Sequence, residues 1–184
     1  MESLASRRLL LAVPVLAIVI VGVFVYVSVY DPSPAVSFRT MLIINIQHLG
    51  SPNASRAFPA AGIGLPGGIM NTTRYLSDGT SGRYPVYTLD RTGIIYVHSR
   101  VMRAYTLGDF FQVWGENLGE NYTLDLHYHN GTDTCGRTLC SPFYWTMCVE
   151  PPDSTIFVPS VDWGSHVLVE QEIVVLAYSQ IGCA

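Results

Sequence analysis

Hydrophobic positions along the chain change period three times, and each change marks a different kind of element. Leu9 to Tyr30 carries no charge over twenty-two residues. As a helix rising 1.5 Å per residue it reaches roughly 33 Å, enough for a bilayer core of about 30 Å. After the Pro-rich stretch Asp31-Pro32-Ser33-Pro34 the pattern shortens to runs of four to nine branched and aromatic residues, the signature of strands. These fall at Phe38–Ile46, Pro85–Leu89, Ile94–Ser99, Tyr122–Tyr128, Phe143–Val149, Thr155–Val158 and Glu172–Tyr178.

One segment follows a 3.6-residue period. Leu107, Phe110, Phe111 and Trp114 stand at i, i+3, i+4 and i+7, a single stripe on a two-turn helix. Thr106 fits its N-cap, Asp109 completes a capping box in place of the usual Glu, and Gly115 supplies the C-terminal stop. Just upstream, Asp90-Arg91-Thr92-Gly93 joins two β-prone runs with Asp and Gly at the first and fourth positions favoured in a type I turn. Alternation then sets Ile94, Tyr96 and His98 on one face and Ile95 and Val97 on the other, and Val101–Tyr105 reads as extended. Asn53 to Gly82, interrupted by six glycines, reads as an irregular ordered loop. Its GIGLPGG segment lacks the Lys-Ser/Thr of a phosphate loop, and Pro66 removes a donor amide.

Element order gives the fold class: α+β, mainly β, with an N-terminal transmembrane helix followed by a small β-grasp-like or sandwich domain containing one short helix. Residues 1–8 form a cytoplasmic N-terminus, 9–30 the span, 31–37 a linker and 38–184 the extracytoplasmic domain. Orientation follows from Arg7 and Arg8 on the short N-terminal flank. The run is longer than a signal-peptide core, and no small-x-small cleavage site precedes the linker. Ser6-Arg7-Arg8-Leu9 also fits a loose twin-arginine pattern, which leads to the same outward side.

Charge narrows the partners. The chain has no Lys, and residues 31–184 carry eight Arg against thirteen acidic side chains, a net charge of −5. Such a balance argues against nucleic acid and against an anionic lipid surface as partner, and the expected partners are other membrane or envelope subunits. Cys135, Cys140, Cys148 and Cys183 all lie beyond the span, where disulfides persist. Pairing Cys135 with Cys140 and Cys148 with Cys183 would close a short loop and staple the C-terminal tail; two other pairings exist. Sequons at Asn53, Asn71, Asn121 and Asn130 are glycosylation candidates on the same side.

The strongest metal pattern is His127-x-His129, which on a strand points two imidazoles to one face, a fit for copper or zinc. No Gly-x-Ser-x-Gly elbow is present, and His48, His98 and His166 stand singly. Glu116 with Glu120 and Glu170 with Glu172 read as solvated pairs at turns and strand ends. Phe143-Tyr144-Trp145 reads as core or as an aromatic patch. The expected function is therefore a non-catalytic, single-pass, cell-membrane accessory subunit or interaction module, with a copper- or zinc-binding domain as the alternative and no other cofactor.

Tyr87-Thr88-Leu89-Asp90-x-x-Gly93-Ile94-Ile95-Tyr96-Val97-His98-Ser99, followed by Tyr105-Thr106-Leu107-Gly108-Asp109-Phe110-Phe111-x-x-Trp114-Gly115, carries a resemblance. The pair of blocks resembles a family of uncharacterised archaeal membrane-anchored or exported proteins, frequent in ammonia-oxidising archaea, with the motif HTHD-x-x-G-x-IH-[IV]-ES and then TLGDFF-x-x-WG. Phe58-Pro59-Ala60 and Glu172-Ile173-Val174 with Tyr178 echo two further family segments. The family's motif histidines are Tyr87, Leu89 and Tyr96 here, while Thr88, Asp90, Gly93 and Ser99 match; the Cys135–Cys148 region is an insertion. The resemblance implies an extracytoplasmic, β-rich domain and no particular activity.

Overall fold

A computed structural model describes residues 17–23, 34–47, 54–72, 74, 76–127, 134–135, 138–139 and 143–179, with the backbone alone at 54, 127, 134–135 and 138–139. The chain divides into two units, Met1–Ser33 and Pro34–Ala184. In the first, residues 17–23 are helical, with Ile18, Val19, Ile20, Val21 and Val23 exposed. Among the described residues no helix is long and apolar enough to cross a membrane; the remainder of the expected 9–30 span lies outside them.

The second unit is built on β1 (Val36–Gln47), whose apolar run Leu42-Ile43-Ile44 is buried on both faces as a central strand requires. Three more strands lie between it and the helix: β2 (Ala54–Ala57), β3 (Val86–Tyr87) and β4 (Ile94–Ser99). One edge of β1 is shared end to end, by β4 from Val36↔Ser99 to Met41↔Ile94 and by β2 from Ile44↔Ala57 to Gln47↔Ala54, both antiparallel. The opposite edge pairs in parallel with the C-terminal strand.

After the helix α1 (Leu107–Trp114) come the short hairpins β5 (Tyr122–Thr123) with β6 (Leu126–His127) and β7 (Thr134–Cys135) with β8 (Thr138–Leu139), then β9 (Tyr144–Glu150), β10 (Val158–Ser160) and β11 (Ile173–Ser179). The main sheet runs β10-β9-β11-β1-β4-β3, with β2 beside β1. Among the described residues its one parallel pair is β1 with β11, Met41↔Ile173 through Ile46↔Tyr178. The structure is thus mainly β with a helix on the sheet, as the element order implies.

The helix forms where its local signals put it. Thr106 caps it, accepting from Asp109 N while Asp109 Oδ2 accepts from Thr106 N, and Gly115 ends it at φ 85°. Leu107, Phe110, Phe111 and also Val113 are buried against Leu42, Ile44, Ile95, Val97, Trp145, Met147, Val174 and Leu176. Phe143 and Trp145 belong to this core while Tyr144 between them is exposed, so the aromatic triplet alternates as strand residues do.

Four expectations change. Tyr122–Tyr128 is not one strand: Leu124, at φ 54°, starts a tight turn and the segment folds back as β5–β6. Thr123 within it is buried, its hydroxyl satisfied by Gly119 as both donor and acceptor. The strand near Thr155 begins instead at Val158, since Ser154 Oγ accepts from Ile156 N in a local turn; Pro159 is tolerated on the sheet's edge. Val101–Tyr105 forms bends rather than extended strand, and Ala54–Ala57 pairs as β2 within a segment expected to be irregular.

Candidate functional site

Two polar clusters flank the start of α1, and both begin with contacts that sequence separation hides. In the first, Arg103 sends Nε to Asp78 Oδ2 at 3.1 Å and Nη1 to Asp109 Oδ2 at 3.4 Å, with its guanidinium 4.0 Å over the Tyr105 ring. Burial alone would lower the Arg103 pKa; Asp109, Tyr105 and Asp78 more than offset it and hold the charge in place. Ser99 Oγ bonds Tyr105 OH and donates to the Asp78 carbonyl, so strand β4, the 3-10 turn Leu76–Asp78 and the helix cap are one network.

In the second cluster Glu172, 2% exposed, receives Val169 N at 2.7 Å on one carboxylate oxygen and lies 3.2 Å from His166 Nε2 on the other. The Thr40 hydroxyl donates to the Glu172 carbonyl at 3.1 Å. This corrects the reading of Glu172 as a solvated charge and of His166 as isolated. Meanwhile the His166 carbonyl accepts from Leu107 N, and Thr106 bridges Val167, so a remote segment satisfies the first turn of α1. Beside Glu172 a cavity of ≈ 250 Å³ is lined by Arg39, Thr40, Met41, Ile94, Gln171 and Glu172. A buried carboxylate with a histidine beside a small cavity can hold a proton or orient a polar ligand. Its described contacts, however, serve to tie β11 to β1 and to the helix start.

The sheet face turned away from α1 has its own small cluster, Ile43, Val175 and Ala177 with Met41 and Ile173 packed against it. On β3 and β4, Tyr87 and Tyr96 are register partners and stack with centroids 5.5 Å apart, under Arg83 at 5.7 Å from the Tyr87 ring. Tyr87 and Tyr96 thus form an aromatic stack across the strand pair, and Leu89 is exposed.

No family model, curated protein or solved structure matches the chain.

The expected site residues fall as follows. His127 pairs with Tyr122 by backbone in β6; its side chain and all of His129 lie outside the described residues. Among the described residues no three His, Cys, Asp or Glu side chains group as metal ligands. Cys148 is buried and disulfide-bonded, with a partner outside the described side chains. Cys135 is placed by backbone in β7 opposite Thr138, and Cys140 and Cys183 lie outside the described residues, so the pairing rests on the sequence. Asn121 is exposed, and so is Asn71, whose Nδ2 donates to the Trp114 carbonyl at the helix end; Asn53 and Asn130 lie outside.

Sequence reasoning missed Glu172–His166 and the Arg103 network. A signal existed for the second, since Asp109 at N3 of a helix is a natural acceptor for a nearby cation.

Proposed function

We propose that the chain is a single-pass, membrane-anchored accessory subunit whose β-rich domain works outside the cytoplasm as an interaction module of a membrane or envelope complex, without catalysis. The observation that carries this reading is the twenty-two-residue uncharged run Leu9–Tyr30 behind Arg7-Arg8, followed by a domain that holds all four cysteines. The disulfide at Cys148 supports an oxidising compartment. The engagement of Glu172, His166, Asp78, Arg103 and Asp109 in contacts that hold the fold supports a scaffold rather than a reaction centre.

The domain's arrangement is β-grasp-like. In chain order its main elements are β1, β4, α1, β9 and β11, and in space the strands run β4-β1-β11-β9 with the central pair parallel and the outer pairs antiparallel. On the sheet face opposite the helix Met41, Ile173 and Tyr96 are half-buried and reachable by a partner, while Ile43, Val175 and Tyr87 beside them are buried.

Purification of the full-length chain from native membranes in mild detergent tests the proposal. A membrane protein co-migrating in fixed ratio is expected, and its loss in a Met41→Asp variant would map the contact to this face. Migration as a lone monomer, or turnover by the purified chain on a substrate panel, would overturn it.

A further inference from the structure

The entry point of the chain into the sheet coincides with a rigid apolar loop. Ala35 N donates to the Ser99 carbonyl at 2.7 Å, and Val36 pairs with Ser99. Immediately after Ser99 come Arg100, Val101, Met102 and Arg103. Met102 is 80% exposed and Val101 42%, and Leu76, on the 3-10 turn bonded to this loop, is 36% exposed.

Scattered apolar side chains are ordinary on a surface. These are held out by bonds that leave the loop little freedom. Ser99 Oγ accepts from Val101 N at 2.9 Å and lies 3.0 Å from the carbonyls of both Val101 and Asp78, which share its single proton. Arg100 N donates to the Asp78 carbonyl at 2.8 Å, and Arg103 Nε bonds the Asp78 carboxylate. Arg103 offsets one of the two negative charges of Asp78 and Asp109, and the exposed cation beside Val101 and Met102 is Arg100.

Chain length adds the occupant. Four residues separate Tyr30, the last of the apolar run, from Ala35, and the five steps between them reach at most about 18 Å. The polar zone of a bilayer is roughly 5–8 Å deep on each side of the hydrocarbon. A loop bonded to Ala35 is therefore within reach of the headgroups for any anchored chain.

Resting on the anchored reading above, we propose that Leu76, Val101 and Met102 insert into the outer interface of the bilayer, with Arg100 reaching a lipid phosphate, so that the domain is docked on the membrane at a fixed tilt rather than swinging on its linker. Apolar side chains beside an arginine suit this zone, the chains entering the acyl boundary and the guanidinium staying with the phosphates. A docked domain would present the same face to every partner in the membrane.

The test uses the full-length chain in vesicles of phosphatidylcholine and phosphatidylglycerol containing nitroxide-labelled lipid. A polarity-sensitive fluorophore is carried in turn on Met102→Cys, on Val161→Cys and on Val19→Cys. Val161 is 87% exposed and follows Ser160, which lines up through Met147 and Leu176 with Ile44. That level is eight residues along β1 from Val36, about 26 Å at strand rise.

Quenching at position 102 several-fold stronger than at 161, and weakened when Arg100→Glu is added, is expected. Equal, weak quenching at 102 and 161 with position 19 still quenched would overturn the docking and leave the anchor standing. Absence of quenching at 19 would remove the anchor and the docking together.

Discussion

Tyr84 shows how a single residue can be buried at a loss. Its side chain lies in the core, and among the described residues its hydroxyl has no hydrogen-bond partner; burial raises its pKa above the ordinary 10.0. A folded pKa above the unfolded value means that the contribution is intact below about pH 10 and is lost as pH rises through the folded pKa. Tyr84→Phe removes the orphan hydroxyl at constant shape, and we expect about 1 kcal/mol of added stability in urea melts, with less alkaline loss; a lower midpoint at neutral pH would show a hidden bond to the hydroxyl.

Asp90 has the opposite sign. Thr92 donates to it from its hydroxyl and its backbone, which depresses its pKa below 3.8, so its contribution is present above that value and lost as pH falls through the lower folded one. Thr92→Val should move the Asp90 titration upward in carboxyl NMR, and an unchanged titration would contradict that cause. Gly108 is fixed by space rather than by φ: a Cβ there would stand 2.5 Å from the Gly164 carbonyl. Gly108→Ala should cost about 1–3 kcal/mol in thermal or urea unfolding, whereas a wild-type midpoint would mean that the 163–165 turn can step aside.

At the scale of elements, what could be read in the chain was what local chemistry determines. The helix α1 was legible because Thr106, Asp109, Gly115 and the aromatic stripe are neighbours in sequence, and β1, β9 and β11 because their apolar runs are long. Thr106→Ala should lower stability by about 1 kcal/mol, readable in the same urea melts, because only the cap is lost. Parallel pairing of β1 with β11, more than a hundred residues apart, leaves no mark on either strand. Strand β2, Ala-Ser-Arg-Ala, has no β signature; it pairs because β4 leaves the second half of one β1 edge open. The β5 turn was missed because Leu124 takes a positive φ without being Gly or Asn, its side chain being drawn onto the core. Of the candidate sites, Glu172–His166 was illegible since each residue reads as ordinary surface until the fold sets them 3.2 Å apart.

For the molecule as a whole, the proposed picture joins an anchor, a short linker and a β-grasp-like module that offers a surface rather than a reaction. Topology is the first test of this picture. If Leu9–Tyr30 crosses the membrane with Arg7 and Arg8 inside, the chain should resist extraction by alkaline carbonate, and protease added to intact cells should cut the β-rich domain while sparing an N-terminal fragment carrying the span. Release of the whole chain by carbonate, or a domain that is cut only after the cells are broken, would contradict the proposed architecture.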